Sequence, residues 1–193
     1  MSLYIFVRIA IATICLFIII RCIINKVSVN KQKTSIIWVV IIVFSLSSFL
    51  YLLPFENLFV SFKTPESAVY YYNNWDDIHI VYGQDSCLVI SENDSSKKQQ
   101  ILIKNDDGWK IKTGFAINTI AKQSSNMNYV TIMNVEDSQD KYISVRNIFN
   151  DNLDIQDSCN SCFTEVEPGA YYGYITDFSE EYCITINDME LTF

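Results

Sequence analysis

Residues 101–113 read ILIKNDDGWKIKT. Two short runs rich in alternating apolar and polar side chains flank Asn105-Asp106-Asp107-Gly108. Asn and Asp favour tight reversals, and glycine accepts a positive φ, so the stretch predicts a β-hairpin. The same period of two recurs on both sides. It is found at Ile78–Tyr82, Cys87–Ser91, Gln100–Lys104, Trp109–Thr113, Tyr129–Val135, Tyr142–Arg146, Leu153–Ile155, Tyr171–Thr176, Tyr182–Asn187 and Glu190–Phe193. Polar turns separate these runs, among them Gly83-Gln84-Asp85, Glu136 to Asp140 and Asn187-Asp188. Many short strands at close spacing predict a mainly antiparallel β domain, a sandwich or a curled meander, without giving the order of the strands.

One helix is readable ahead of the strands. Thr64-Pro65-Glu66 supplies an N-cap hydroxyl, a proline at the first helical position and an acid in the first turn. A helix over Pro65 to Tyr72 is expected, with Ala68, Val69 and Tyr72 on its buried side.

Upstream the chemistry changes. The first 55 residues hold Arg8, Arg21, Lys26, Lys31 and Lys33 and no carboxylate side chain; the rest hold 9 Lys+Arg against 22 Asp+Glu, a net of −13. Residues 1–54 are therefore expected to be a membrane anchor and residues 55–193 an acidic soluble domain. Ser35–Leu53 is uncharged, and at 1.5 Å per residue its length of roughly 28 Å nears the ~30 Å hydrocarbon thickness. Pro54 suits its end. A first apolar segment, residues 3–24, contains Arg8 and Arg21, which can snorkel to opposite interfaces. Arg8 could instead meet an acidic group of a partner helix. No leading charge and no small-residue cleavage site marks this segment as a signal peptide. Arg21, Lys26, Lys31 and Lys33 lie in or beside the connecting loop, and short cationic loops stay cytoplasmic. Two spans with both termini extracytoplasmic, at the cell membrane, are the expected topology.

Six cysteines are present. Cys15 and Cys22 fall in the first apolar segment as small apolar residues. Outside the cytoplasm, Cys87, Cys159, Cys162 and Cys183 are compatible with two disulfides. Cys159–Cys162 with Cys87–Cys183 is the preferred of three pairings. A redox role for Cys159-Asn-Ser-Cys162 would want a helix N-terminus behind the pair. Asp157, Glu165 and Glu167 surround it with negative charge instead, which disfavours a thiolate.

Other chemistry is sparse. The single histidine, His79, sits in a strand pattern. There is no nucleophile elbow, phosphate loop or zinc-protease motif. The acid clusters, among them Asp106-Asp107 and Asp151, Asp154 and Asp157, lack the spacing of an EF-hand and read as solvated turns, with weak calcium binding as the alternative. Tyr70 to Tyr72 and Tyr171-Tyr172 read as core, or else as the lining of a groove for peptide or glycan. No catalytic residue, cofactor or metal is expected. The charge disfavours nucleic acid and anionic lipid as ligands of the domain.

Residues 55–73, FENLFVSFKTPESAVYYYN, together with DDGWKIKT, DKYISVR and YYGYITDFSEEYCITIND, resemble small uncharacterised two-span membrane proteins of low-GC Gram-positive bacteria. The resemblance implies two hydrophobic segments, a phenylalanine-rich link and a β-rich extracytoplasmic domain, and names no activity. The expected role is a membrane-tethered module, held in the lipid bilayer, that binds a protein or peptide. The alternatives are an immunity or accessory subunit acting through its transmembrane helices and, remotely, a thiol oxidoreductase using Cys159 and Cys162.

Overall fold

The computed structural model describes residues 3–26, 29–52, 57, 59–73, 75, 77–91, 98–112, 117–136, 138–149, 152–178 and 181–193, with only the backbone described at 26, 29–33 and 46–52. The chain forms two compact units, Met1–Val60 with Tyr70–Asn74 and Ser61–Val69 with Trp75–Phe193.

The first unit contains α1 (Leu3–Lys26) and α2 (Val29–Leu52), which pack on each other. The helices begin and end so close together that the expected cationic loop shrinks to residues 27–28, which lie outside the described residues. Arg21 and Lys26 belong to α1; Lys31 and Lys33 belong to α2, with their side chains outside the description. Leu3–Asn25 is long and apolar enough to cross a membrane, and only 6% of its apolar window is buried. A core helix of a soluble protein would be covered; here Phe6, Ile14, Phe17 and Ile18 are exposed. In α2 the apolar stretch among the described residues is Thr34–Ser45, shorter than a span.

The second unit is β-rich and antiparallel throughout, as the alternation predicts. Of α3 (Pro65–Asn73), the first residues, up to Val69, belong to it. Thr64 and Ser67 cap that helix reciprocally: Ser67 N donates to Thr64 Oγ1 at 3.3 Å, and Thr64 N donates to Ser67 Oγ at 3.4 Å. Ala68 and Val69 are buried, as expected; Tyr72, also buried, belongs to the first unit and lies against Tyr4. The first sheet is the meander β1 (Ile78–Tyr82), β2 (Ser86–Ser91), β3 (Gln99–Asn105) and β4 (Gly108–Ile111). Its last hairpin is the ILIKNDDGWKIKT stretch. Gly108 takes φ +130, and a Cβ there would meet the Phe62 carbonyl oxygen at 2.5 Å. That closeness has a purpose: Phe62 and Trp109 exchange two backbone hydrogen bonds, which tie the entering chain to the edge of β4.

The second sheet is central. Its strands are β5 (Ile117–Ser125), β6 (Asn128–Val135), β7 (Lys141–Asn147), β9 (Phe163–Glu167) and β10 (Ala170–Ile175), in the order β5-β6-β7-β10-β9. The third sheet holds β8 (Ile155–Asp157), β11 (Cys183–Ile186) and β12 (Met189–Thr192), in the order β12-β11-β8. One face of the central sheet presents Val130, Ile132, Ile143, Val145 and Ile175 to Ile184, Ile186 and Leu191 of the third sheet. The other face presents Met133, Val135, Tyr142 and Tyr172 to Leu88, Ile90 and Ile101 of the first. The domain is thus three layers with a core on each side of the middle one.

Nine of the expected strands agree closely. The run at Leu153–Ile155 begins later, at Ile155. Two strands, β5 and β9, were not expected. Both are edges of the central sheet. Most of their exposed positions carry polar residues, and Ile120 is exposed at the β5 bulge, so the apolar alternation is broken. The β5–β6 reversal is also concealed: Asn126 and Met127 both take positive φ, 48 and 64, a mirror-image two-residue turn without glycine.

Candidate functional site

The first sheet covers only part of the central face it packs on. The remainder forms an open cleft of about 650 Å3, lined by Ile117, Thr119 and Lys122 of β5, Tyr129, Thr131 and Met133 of β6, and Ser144 and Arg146 of β7, with Gln99 of β3 on the covered side. Register explains the grouping. Lys122 pairs with Thr131, and Thr131 with Ser144; one step along, Tyr129 pairs with Arg146. A bulge between Thr119 and Ala121 restores the inward phase of β5, so Thr119 and Lys122, three residues apart, share the face.

Arg146 is the sole arginine of residues 55–193. Its Nη2 donates to the Tyr172 hydroxyl at 2.9 Å, and Gln99 Nε2 donates to the same oxygen at 3.3 Å. Tyr172 is 1% exposed, so this anchor is rigid. The rest of the guanidinium fork remains for a ligand. Among the described residues neither Lys122 nor Arg146 is paired with a carboxylate. Two cations, the hydroxyls of Thr119, Thr131, Ser144 and Tyr129, and an apolar floor at Met133 and Ile117 suit a ligand that is partly apolar and bears an anionic group. This site was not legible in the sequence. Its residues come from four strands, and only the register of β5, β6 and β7 brings them together.

Beside the cleft, Asp140 holds the first and second sheets together. It is 2% exposed. Its carboxylate accepts from Gln84 N at 3.1 Å, Asp85 N at 3.0 Å and Ser86 Oγ at 2.7 Å. Burial would raise its pKa, but hydrogen bonds from Ser86, Gln84, Asp85 and Tyr174 outweigh that and hold it below the usual value. Ser86 spends its proton on Asp140, so Tyr142, 2.7 Å away, donates to Ser86. Burial, with Asp140 as hydrogen-bond partner and nearby charge, pushes the Tyr174 phenol up to about 12. Gly83 is required here, since a Cβ would lie 2.6 Å from Asp140 Oδ2. These groups serve the fold: they are engaged with one another, and none of them lines the cleft.

The cysteines expected to pair are free thiols. Cys87 and Cys183 do lie in apolar strands, but in the first and third sheets, on opposite sides of the central one. The expected Cys87–Cys183 bridge is thus excluded in this fold. The apolar runs SCLVI and YCITI misled because each belongs to its own layer. Burial first, then the charge of Glu66, pushes the Cys87 thiol up to about 12. Cys159 and Cys162 occupy the tight turn between β8 and β9, with no helix N-terminus behind them. Asp157 organises that turn, accepting from Ser161 N at 2.7 Å and from the Tyr182 hydroxyl at 2.8 Å, and Cys159 Sγ donates to the Asp177 carbonyl at 2.7 Å.

The remaining sequence candidates are placed simply. Arg8 lies over the Tyr4 ring, 4.1 Å from its centroid and one turn nearer the start of α1, the direction that snorkelling requires. Arg21 is exposed near the end of α1. His79 is half-buried in β1, opposite Ile90. Tyr171 and Tyr172 are core residues of the second unit; in the first, Tyr72 is buried and Tyr70 is exposed. Of the acid clusters, Asp76, Asp137 and Asp151 lie outside the described residues; Asp140 and Asp157 are occupied by donors of their own chain. Among the described residues no three His, Cys, Asp or Glu side chains are grouped to hold a metal ion. No family model, curated protein or solved structure matches the chain.

Proposed function

We propose that the chain is a non-enzymatic, membrane-tethered interaction module whose extracytoplasmic β domain binds a protein or peptide in the Lys122–Arg146 cleft. The anchor is a pair of spans, residues 3–24 and 35–53, with Arg21, Lys26, Lys31 and Lys33 on the cytoplasmic side and both termini outside. The distribution of cations supports that orientation. A reporter fused at Phe193 that works only in the cytoplasm overturns it.

The observation that carries the binding role is the cleft. In a domain of net −13, two of nine cations converge on a concave surface that the neighbouring sheet leaves uncovered. The buried Tyr172 hydroxyl holds one of them, Arg146, in place. Buried anchoring of a half-buried cation, with no carboxylate among the described residues to neutralise it, is the arrangement of a recognition site.

The test is site-specific photocrosslinking of the full chain in its membrane. A photoreactive phenylalanine analogue at Tyr129, inside the cleft, should give a discrete adduct that Lys122→Glu abolishes. The same analogue at Glu190, exposed on β12, should give none. Identical patterns from the two positions, or an adduct indifferent to Lys122→Glu, overturn the assignment.

A further inference from the structure

We infer that the cleft recognises the free C-terminal carboxylate of a peptide ending in an apolar residue; the inference rests on the binding role proposed above. Lys122 and Arg146 stand two strands and two residues apart on one face. Their Cα atoms are then roughly 12 Å apart, a gap that two long side chains close around one oxyanion. Tyr172 takes one N–H of the Arg146 fork, leaving the others for two-oxygen recognition of a carboxylate.

The apolar half of the ligand is indicated by what adjoins the cations. The β5–β6 turn and the end of β7 meet through a hydrogen bond from Ile148 N to the Met127 carbonyl, 3.2 Å. Met127, Ile148 and Phe149 are 52%, 53% and 65% exposed there, and Tyr129, the cross-strand partner of Arg146, is 41% exposed. Tyr129 lines the cleft itself, and Met127 lies two residues before it and Ile148 two after Arg146, so large side chains open to water continue that end of the cleft and mark a contact surface. A chain terminus carries an apolar side chain and a carboxylate on the same residue, which matches a rim of this kind beside two cations.

The domain's charge selects among anions. A net of −13 repels a dianion about twice as strongly as a monoanion at the same distance, so a carboxylate is favoured over a phosphate. An internal acidic side chain offers the charge without requiring the rim.

The test uses the full chain in nanodiscs of uncharged lipid, with empty nanodiscs as the blank. The probe is a fluorescent tetrapeptide, Gly-Ser-Ala-Phe, with a free C-terminus. It is compared with its C-terminal amide, with acetyl-Ala-Glu-Ala-amide and with phenyl phosphate as competitors. The free acid should bind saturably. Amidation, Lys122→Gln and Arg146→Gln should each weaken it by about tenfold, the loss of one charge-assisted contact. Phe149→Ser should weaken the tetrapeptide while leaving the weaker binding of the Glu peptide unchanged. Glu190→Gln should change nothing. Equal affinity of acid and amide, tighter binding of the Glu peptide or of phenyl phosphate, or no saturable binding of the free acid overturns the inference. If the crosslink from position 129 persists alongside such a result, only the ligand class falls; if the crosslink is also absent, the binding role falls with it.

Discussion

On β7, Ile143 and Val145 point into the layer beneath β11, whereas Ser144 and Arg146 point the opposite way, into the cleft. The same four consecutive residues serve a closed face and an open one. On the closed face each side chain has an apolar neighbour from another sheet, so volume and shape govern what is tolerated. On the open face the side chains are polar, and the first sheet stops short of them. The comparison separates residues kept for the fold from residues whose chemistry the fold does not need.

The closed face should break hardest. Ile143 is fully buried and lies against the bare backbone of Gly173, where a Cβ would approach it at 3.2 Å. Ile143→Ala should cost about 4 kcal/mol of unfolding free energy, from lost transfer energy and an uncollapsed cavity. Urea denaturation reads it directly; a loss under about 1 kcal/mol means the two layers are not packed as described.

Next comes Asp140, where the open face passes into the covered one. Asp140→Asn replaces an acceptor-only group with one that must turn a donor toward Ser86 or the Gln84 and Asp85 amides. A cost of about 3 kcal/mol is expected. The pH dependence has a definite sign. The folded-state pKa of Asp140 lies below its unfolded value of about 3.9, so its contribution is complete above that value. It is lost as pH falls through the depressed folded value. The urea midpoint should therefore drop below about pH 4, and Asp140→Asn should lose that component of the drop.

Tyr172 belongs to both regimes: its ring is in the core and its hydroxyl receives Arg146 and Gln99. Tyr172→Phe keeps the ring and should cost about 1 kcal/mol. Its sharper readout is the ligand. With Arg146 unanchored, affinity for the free-acid peptide should fall severalfold, while Gln99→Ala, which leaves that anchor, should barely alter it.

This division also explains what could be read in the chain beforehand. The closed face is written as alternation, since burial demands apolar residues at every second position; β6 and β7 follow from it almost residue by residue. The capped start of α3 is equally local. Edge strands escape that rule. In β5 the sequence INTIAKQSS places polar residues at most exposed positions and passes through a bulge at Ile120, so neither period is visible. The cleft escapes for a different reason: Lys122, Thr131, Ser144 and Arg146 each look like an ordinary solvated strand residue. Their grouping is a property of register between strands, which depends on the turn at Asn126-Met127 and cannot be read from either strand alone.

The smallest stability effect belongs to Lys122, and it decides what the open face is for. Its ammonium is exposed and has no carboxylate partner among the described residues, so Lys122→Gln should shift unfolding by less than about 0.5 kcal/mol. The direction should be slightly unfavourable, because removing a cation from a net −13 domain raises its self-repulsion. High salt should erase even that difference. Ligand affinity should fall by about tenfold in the same variant. A large stability loss with unchanged affinity would make Lys122 a structural cation and return the cleft to the ordinary surface. A small loss with impaired binding separates the two functions on one face, Asp140 for cohesion and Lys122 for recognition.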